Sequence, residues 1–534
     1  MHRFVCLLLA AACLRAQENP LETVRRIKVE AFQNSKVMEQ LSLLSDLYGP
    51  RLTGSPEFAQ AADWAVSRLK EYGLTNVHTE KWGPFGRSWS LEGYSIEMTT
   101  PRYSHLSAAP LAWSGSTNGT QTGEPLYAPI DDSGSFFDFA KKRESFEKYK
   151  AKWKGKLRGK IVLISETHAL KPMTHPLFQR YTDAELAEMA QAPEPFKLTA
   201  QSLDDIKMPS DPEELGKLVN HLPSSITFQL YDRYEEFAAE MGRFFSDEGV
   251  AAVIGADGRA HNGLVFAEAA GSQMSKDPIP APTFVVTEEQ YSRMTRLIED
   301  KHPPVVRLNL TAKTSDSDVD GMNIIGEIRG ESKPDEVVMI GAHFDSWHTG
   351  TGATDNGAGS AVMIEVMRIL KAAHLKLNRT VRIGLWSGEE QGLLGSRAYV
   401  KAHFGAEKDK FDVYLNLDNG SGKIRGVYLQ GNDAARPLFE EAFQPFHDMG
   451  VTTVTLKDTT GTDHLSFDSV GLPGFQFIQD PLDYETIAHH SAADTYSHAV
   501  PEDLMQAAAV IASLVSDFAN QERPFPRKPG TMQQ

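Results

Sequence analysis

The chain has 534 residues, too many for one ordinary hydrophobic core, so two domains or one domain with a large insertion are expected. A hydrophobic fraction of 41% and a charged fraction of 23% exclude wholesale disorder. A formal net charge of −17 repels phosphate backbones and anionic lipid, which argues against nucleic-acid and membrane-surface roles.

Residues 1–16 read as an export signal: His2 and Arg3 form a basic start, Phe4–Ala12 is an apolar run, and Ala16 suits cleavage. That run is too short to span a bilayer and no later one approaches ~20 residues, so no transmembrane segment is expected. The expected location is secreted or periplasmic. A competing reading is a lipoprotein signal with Cys13 as the lipid-bearing residue, although Ala10 stands where Leu is usual. Cys6 and Cys13 are the only cysteines. The mature chain is therefore expected to lack disulfides, and any metal must be held by His, Asp and Glu.

Apolar spacing predicts a helix over 20–45, then, after the break at Tyr48–Pro56, a second helix started by Ser55-Pro56 and running to Gly73. Residues 76–100 alternate like strands. Within 106–312, short strands are expected at 159–164, 249–254 and 280–286, with helices at 231–246 and 288–300, which suggests a β-rich module. The charged stretch 166–230 has no readable pattern. From about 320 strands and helices alternate: strands at 335–343, 379–386, 411–417, 425–430 and 472–478, helices at 356–373, 391–403, 433–448 and 501–520. Such alternation implies a mainly parallel sheet flanked by helices, an α/β fold with function at the carboxyl ends of its strands.

Those ends carry the chemistry. The run Val337–Ala342 delivers His343 and Asp345, which share a side of an extended chain and suit a metal ligand with its orienting acid. Asp355 sits among Gly352, Gly357 and Gly359 just before a helix; capping alone would explain the acid but not three glycines. The strand ending at Trp386 is followed by Glu389-Glu390, two carboxylates whose repulsion makes sense beside a cation. Asp418 follows the strand 411–417, and a late loop supplies His489-His490-Ser-Ala-Ala-Asp494-Thr495. Each is unremarkable alone. Gathered at one rim they form an N/O ligand set, without sulfur, suited to zinc, and two metals ~3.5–4 Å apart could share a carboxylate and a water.

The same residues resemble the di-zinc exopeptidase family that includes leucyl aminopeptidases, glutamate carboxypeptidase and carboxypeptidase Q, most closely across His343–Trp347, Arg379–Gly392 and His489-His490-Ser491. The resemblance implies two Zn2+ per chain, with His343 and Asp418 on one, Glu390 and His490 on the other, and Asp355 bridging. It makes Glu389 the general base and Asp345 the residue that orients His343. It prefers His490 over His489 as ligand by its spacing to Asp494-Thr495. Tyr48-Gly-Pro-Arg51 matches the family's amino-terminal segment, although Arg51 suits a structural ion pair equally well. Asp463, His464 and His489 are expected to face substrate, Asp463 by binding a substrate amine.

The implied fold is a zinc-exopeptidase-like α/β domain formed by 17–105 and 313–525. Residues 106–312 would be an inserted protease-associated domain, and 526–534 a tail. The partners expected are peptide substrates, with a homodimer left open. The implied activity is terminal peptide-bond hydrolysis by an aminopeptidase; the alternative is a carboxypeptidase or dipeptidase of the carboxypeptidase Q type. A non-catalytic, receptor-like protein on this scaffold would have lost ligands, and the full set here argues against it. Relatives that transfer acyl groups or cyclise glutamine lack the inserted module.

Overall fold

The structure is a computed structural model that describes residues 20–528, apart from 134–136, 171–173, 194, 196–199, 201, 210 and 260–261. The expected signal segment, with Cys6 and Cys13, and most of the tail lie outside the described residues. Among those described, no helix is long and apolar enough to cross a membrane.

An eight-stranded sheet organises the larger part, in the spatial order 75–82, 321–328, 379–386, 333–343, 411–416, 474–479, 424–428 and 453–455. Its four middle strands are parallel, and antiparallel strands flank them. Side chains alternate between two buried faces. Val338, Ile340 and Ala342 enter one core with helices 358–372 and 501–520, whereas Val337 and Met339 enter another with Trp386, Tyr399 and Phe467. Burial on both faces is why these strands read as continuous apolar runs. Helix 358–372 is itself buried almost all round, the mark of a central element.

The elements read from spacing correspond closely to those formed. The expected single helix over 20–45 is instead two, Pro20–Gln33 and Val37–Ser42, the second running into a π-turn at Leu43–Leu47. Helix Pro56–Glu71 starts where Ser55 accepts the Phe58 N–H. The strand Gly321–Ile328, paired on both sides, and the short strand Thr453–Thr455 were not expected.

A second unit contains two sheets around one core. Strands 88–100 and 305–315 pair with each other in a four-stranded sheet that packs on the five-stranded sheet of 108–110, 283–286, 252–256, 161–163 and 126–127. Ile96, Met98, Val306 and Leu308 share that core with Leu163, Ile254 and Phe284. The boundaries expected at 106 and 312 therefore lie inside a continuous packing unit. Helices carry as much of it as strands do, with 15, 25 and 12 residues at 139–153, 224–248 and 288–299, so its β-rich reading holds for the sheets alone. The unplaced stretch 166–230 holds two short helices and the start of the long one. It is tied to the larger unit where Arg180 bonds both Asp480 and Asp503.

Candidate metal centre

Each candidate ligand follows from how a strand ends. His343 is the last residue of strand 333–343, Glu389 and Glu390 lie in the turn after 379–386, and Asp418 follows 411–416. The parallel register places His343 beside Trp386, so those ends open at one rim. Asp355 is held in the loop 353–357 before helix 358–372. Gly352 there has φ +64, and an added Cβ would meet the Ser346 side chain; one at Gly359 would meet the Asn356 side chain and the Leu417 carbonyl. Those close approaches are what the glycines permit.

Two groups of donors share Asp355. His343 Nε2 lies 3.2 Å from Asp355 Oδ1 and 3.2 Å from Asp418 Oδ1. His490 Nε2 lies 3.4 Å from Asp355 Oδ2 and 2.9 Å from Glu390 Oε2. His490 holds φ +59, in the left-handed region that costs a non-glycine residue ~1–2 kcal/mol. His489 stands further back, its Nε2 3.9 Å from Asp355 Oδ2. Donor atoms of His343, Asp355 and Glu390 fall within 4.8 Å of one another, as do those of Asp355, His489 and His490. Glu389 Oε2 is 3.9 Å from His343 Nε2 and belongs to neither donor group.

This concentration of buried acids is electrostatically costly. Burial, with Asp355 repelling it, pushes Glu390 up to about 8 and outweighs the pull of His490. Burial raises Glu389 well above the usual carboxylate range against the pull of His343. Burial would lower His343, but Asp418 and Glu389 outweigh it and hold the ring well above an ordinary imidazole. Asp355 Oδ2 is buried without a hydrogen-bond partner. Nitrogen and carboxylate donors, a shared carboxylate with an orphaned oxygen, and excess negative charge all fit divalent cations of the zinc kind.

Neighbouring groups fix the loops. Arg51 is wholly buried and donates to the carbonyls of Leu44, Phe344, Thr351 and Gly352, so it ties backbone segments together rather than pairing with an acid. Burial lowers its pKa to about 10. Asp494 accepts from the Thr354 N–H at 2.6 Å, the Thr354 hydroxyl at 2.7 Å and the Asp355 N–H at 3.2 Å. The sequence offered Asp494 only as a spacing marker; in the fold it anchors the loop that carries Asp355.

Asp345 is buried, but its carbonyl, 3.0 Å from His343 Nδ1, is closer than its carboxylate at 3.5 Å. The carboxylate accepts from the Thr53 hydroxyl, which in turn accepts from the Gly388 N–H. The expected orientation of His343 therefore runs mainly through the backbone. Asp463 is wholly buried, and burial raises it to about 8 against the influence of His343. His464 is also wholly buried, with Nε2 3.3 Å from the Thr459 carbonyl, and burial lowers it to about 3. Neither presents an open face, and both carboxylate oxygens of Asp463 are buried without a hydrogen-bond partner.

Sequence reasoning missed Glu268. It comes from the second unit, and its Oε1 is 2.9 Å from His490 Nδ1. Burial raises Glu268, but His490 and Arg259 outweigh it and hold it down at about 2. Tyr231 of helix 224–248 packs over Gly392, and its hydroxyl is raised first by burial and then by Glu389, Asp418 and Asp463. Nothing local in the sequence around either residue signals the site.

The family model described as peptidase family M28 matches residues 323–515. Carboxypeptidase Q of Mus musculus is 27% identical over 512 residues, spanning 96% of this chain and 91% of the mouse protein. The crystal structure of a peptidase M28 precursor from Shewanella amazonensis SB2B gives a TM-score of 0.64 at 23% identity, covering 95% of this chain and 99% of that one. A zinc aminopeptidase from Bacillus subtilis gives 0.53 at 19% identity, covering 90% and 93%. These two structural likenesses concern the fold.

Proposed function

Because this chain belongs to peptidase family M28, we propose that it is a two-zinc exopeptidase that removes terminal residues from short peptides. The observation that carries the reading is the pair of donor groups around Asp355, one with His343 and Asp418, the other with Glu390 and His490.

Two zinc ions held there would polarise the scissile carbonyl and a shared water, lowering the water's pKa. Glu389, 3.9 Å from His343 and outside both groups, would accept the water's proton and later return it to the leaving amine. Arg51 and Asp494 keep the ligand-bearing loops in place, so no reorganisation is needed during reaction. Tyr231 of the second unit stands against Gly392, at the end of the turn that carries Glu389 and Glu390.

We favour an aminopeptidase. The support is in the basic side chains: Arg51 is engaged by carbonyls and Arg259 by Asp257 and Glu268, which leaves neither of them to receive a terminal carboxylate. A second reading, a carboxypeptidase or dipeptidase, is supported by the full-length likeness to carboxypeptidase Q. The basic start and apolar run of the amino-terminal segment support secretion or periplasmic export.

The test is metal analysis followed by a panel of free, amino-acetylated and carboxyl-amidated peptides. Two zinc ions per chain are expected, together with activity lost on chelation and restored by zinc. Acetylation should abolish cleavage, and amidation should not. Full activity after exhaustive chelation would defeat the reading; the reverse blocking pattern would replace the aminopeptidase by its rival.

A further inference from the structure

His490 comes from the larger unit, but its outer nitrogen is met by a side chain from the other one. Glu268 Oε1 lies 2.9 Å from His490 Nδ1. The carboxylate is held in turn by Arg259 at 3.2 Å and by the Tyr234 hydroxyl at 3.4 Å, the latter from helix 224–248. Backbone contacts pin the same segment: Phe266 bridges to Ser491, the Ala492 N–H donates to the Val265 carbonyl, and the Thr349 hydroxyl donates to the Ala267 carbonyl. With the Ala112–Ala269 bridge on its other side, these contacts fix where the Glu268 side chain can reach.

We propose that Glu268 is a positioning residue for the second metal, so that the unit carrying it supplies a working part of the metal centre rather than only a cover. This rests on the two-zinc reading above. A carboxylate on Nδ1 makes that nitrogen the hydrogen-bond donor and leaves the lone pair on Nε2, the nitrogen that faces Asp355 Oδ2 and Glu390 Oε2. It also holds the ring plane, which matters because His490 sits in a strained backbone conformation and lies beside His489, tilted to it at 4.0 Å between ring centroids. Among the described residues His343 has no such partner across units; its Nδ1 meets its own strand's continuation at the Asp345 carbonyl. The two metal positions therefore differ in what orders them, and among the described residues only the one at His490 draws on the second unit.

The experiment uses full-length protein as wild type, Glu268→Ala, Glu268→Gln and Arg259→Gln, each loaded with zinc and titrated with a chelator. Metal retained per chain is counted, and the melting temperature of each metal-free form is recorded. Glu268→Ala should surrender one of its two ions at about 10- to 100-fold lower chelator concentration, the other being held as in wild type. Glu268→Gln, whose amide oxygen still accepts from Nδ1–H, should fall between Ala and wild type. Arg259→Gln, which keeps the carboxylate on the ring, should lose less than Glu268→Ala. Glu268→Ala that retains both ions with wild-type resistance would overturn the proposal. So would loss of both ions in step with a lowered metal-free melting temperature, which would reduce Glu268 to a structural contact. A wild-type chain that binds no zinc would instead defeat the two-zinc reading on which this rests.

Discussion

At position 389 a carboxylate lies 3.9 Å from the His343 ring, while the next residue, Glu390, reaches His490 at 2.9 Å and accepts the Trp347 N–H at 3.2 Å. One acid is engaged in a donor group and the other is not, and the proposed function gives the latter the proton transfer. Glu389→Gln should therefore keep the full metal content yet lose turnover by about 10²- to 10⁴-fold, read as metal per chain beside kcat. A variant with near-normal kcat would remove Glu389 from the chemistry. The sequence shows two adjacent acids after a buried strand, which is as far as residue spacing reaches. Their division of labour depends on the direction each side chain takes from the turn.

Among elements, the loop 353–357 is the one on which both donor groups depend, because Asp355 serves both. Its shape rests on three donors to Asp494 and on Arg51, which holds the Thr351 and Gly352 carbonyls. Asp494→Ala leaves the Thr354 and Asp355 N–H groups buried and unsatisfied, at about 1–3 kcal/mol each. It should weaken both metals together, in contrast to the single loss expected of Glu268→Ala. Chelator titration that shows only one ion weakened would contradict this account of the loop. The strands that present the ligands were legible because burial on both faces makes them apolar throughout. The strand Gly321–Ile328 was not, since residues such as Asn323 and Gly326 interrupt its apolar pattern.

For the whole molecule, the contact between units has its own titratable group. His348 is buried against Trp89, at 5.0 Å between ring centroids, and its Nε2–H donates to the Pro110 carbonyl at 2.7 Å. Burial lowers its pKa to about 4. The folded value lies below the unfolded value of about 6.5, so the unfolded chain takes up the proton first. The contribution of His348 is thus intact above about pH 6.5 and is lost as pH falls to about 4, by up to ~3 kcal/mol. Denaturant midpoints of metal-free wild type should fall more steeply across that window than those of His348→Gln. Parallel profiles would show that this histidine does not sense the window.

The amino-acid sequence by itself determined the alternation of strands and helices after residue 320 and the concentration of His, Asp and Glu at strand ends. Both are local consequences of a sheet buried on two faces with its chemistry at one rim. It also located Asp355 among its glycines, because close backbone approach leaves a mark in composition. Only the tertiary structure decided that strands 88–100 and 305–315 join the second unit, that Asp494 anchors the Asp355 loop, and that Glu268 meets His490. Glu268 and His490 are separated by 222 residues, and pairing across such distances is set by packing that no local pattern encodes.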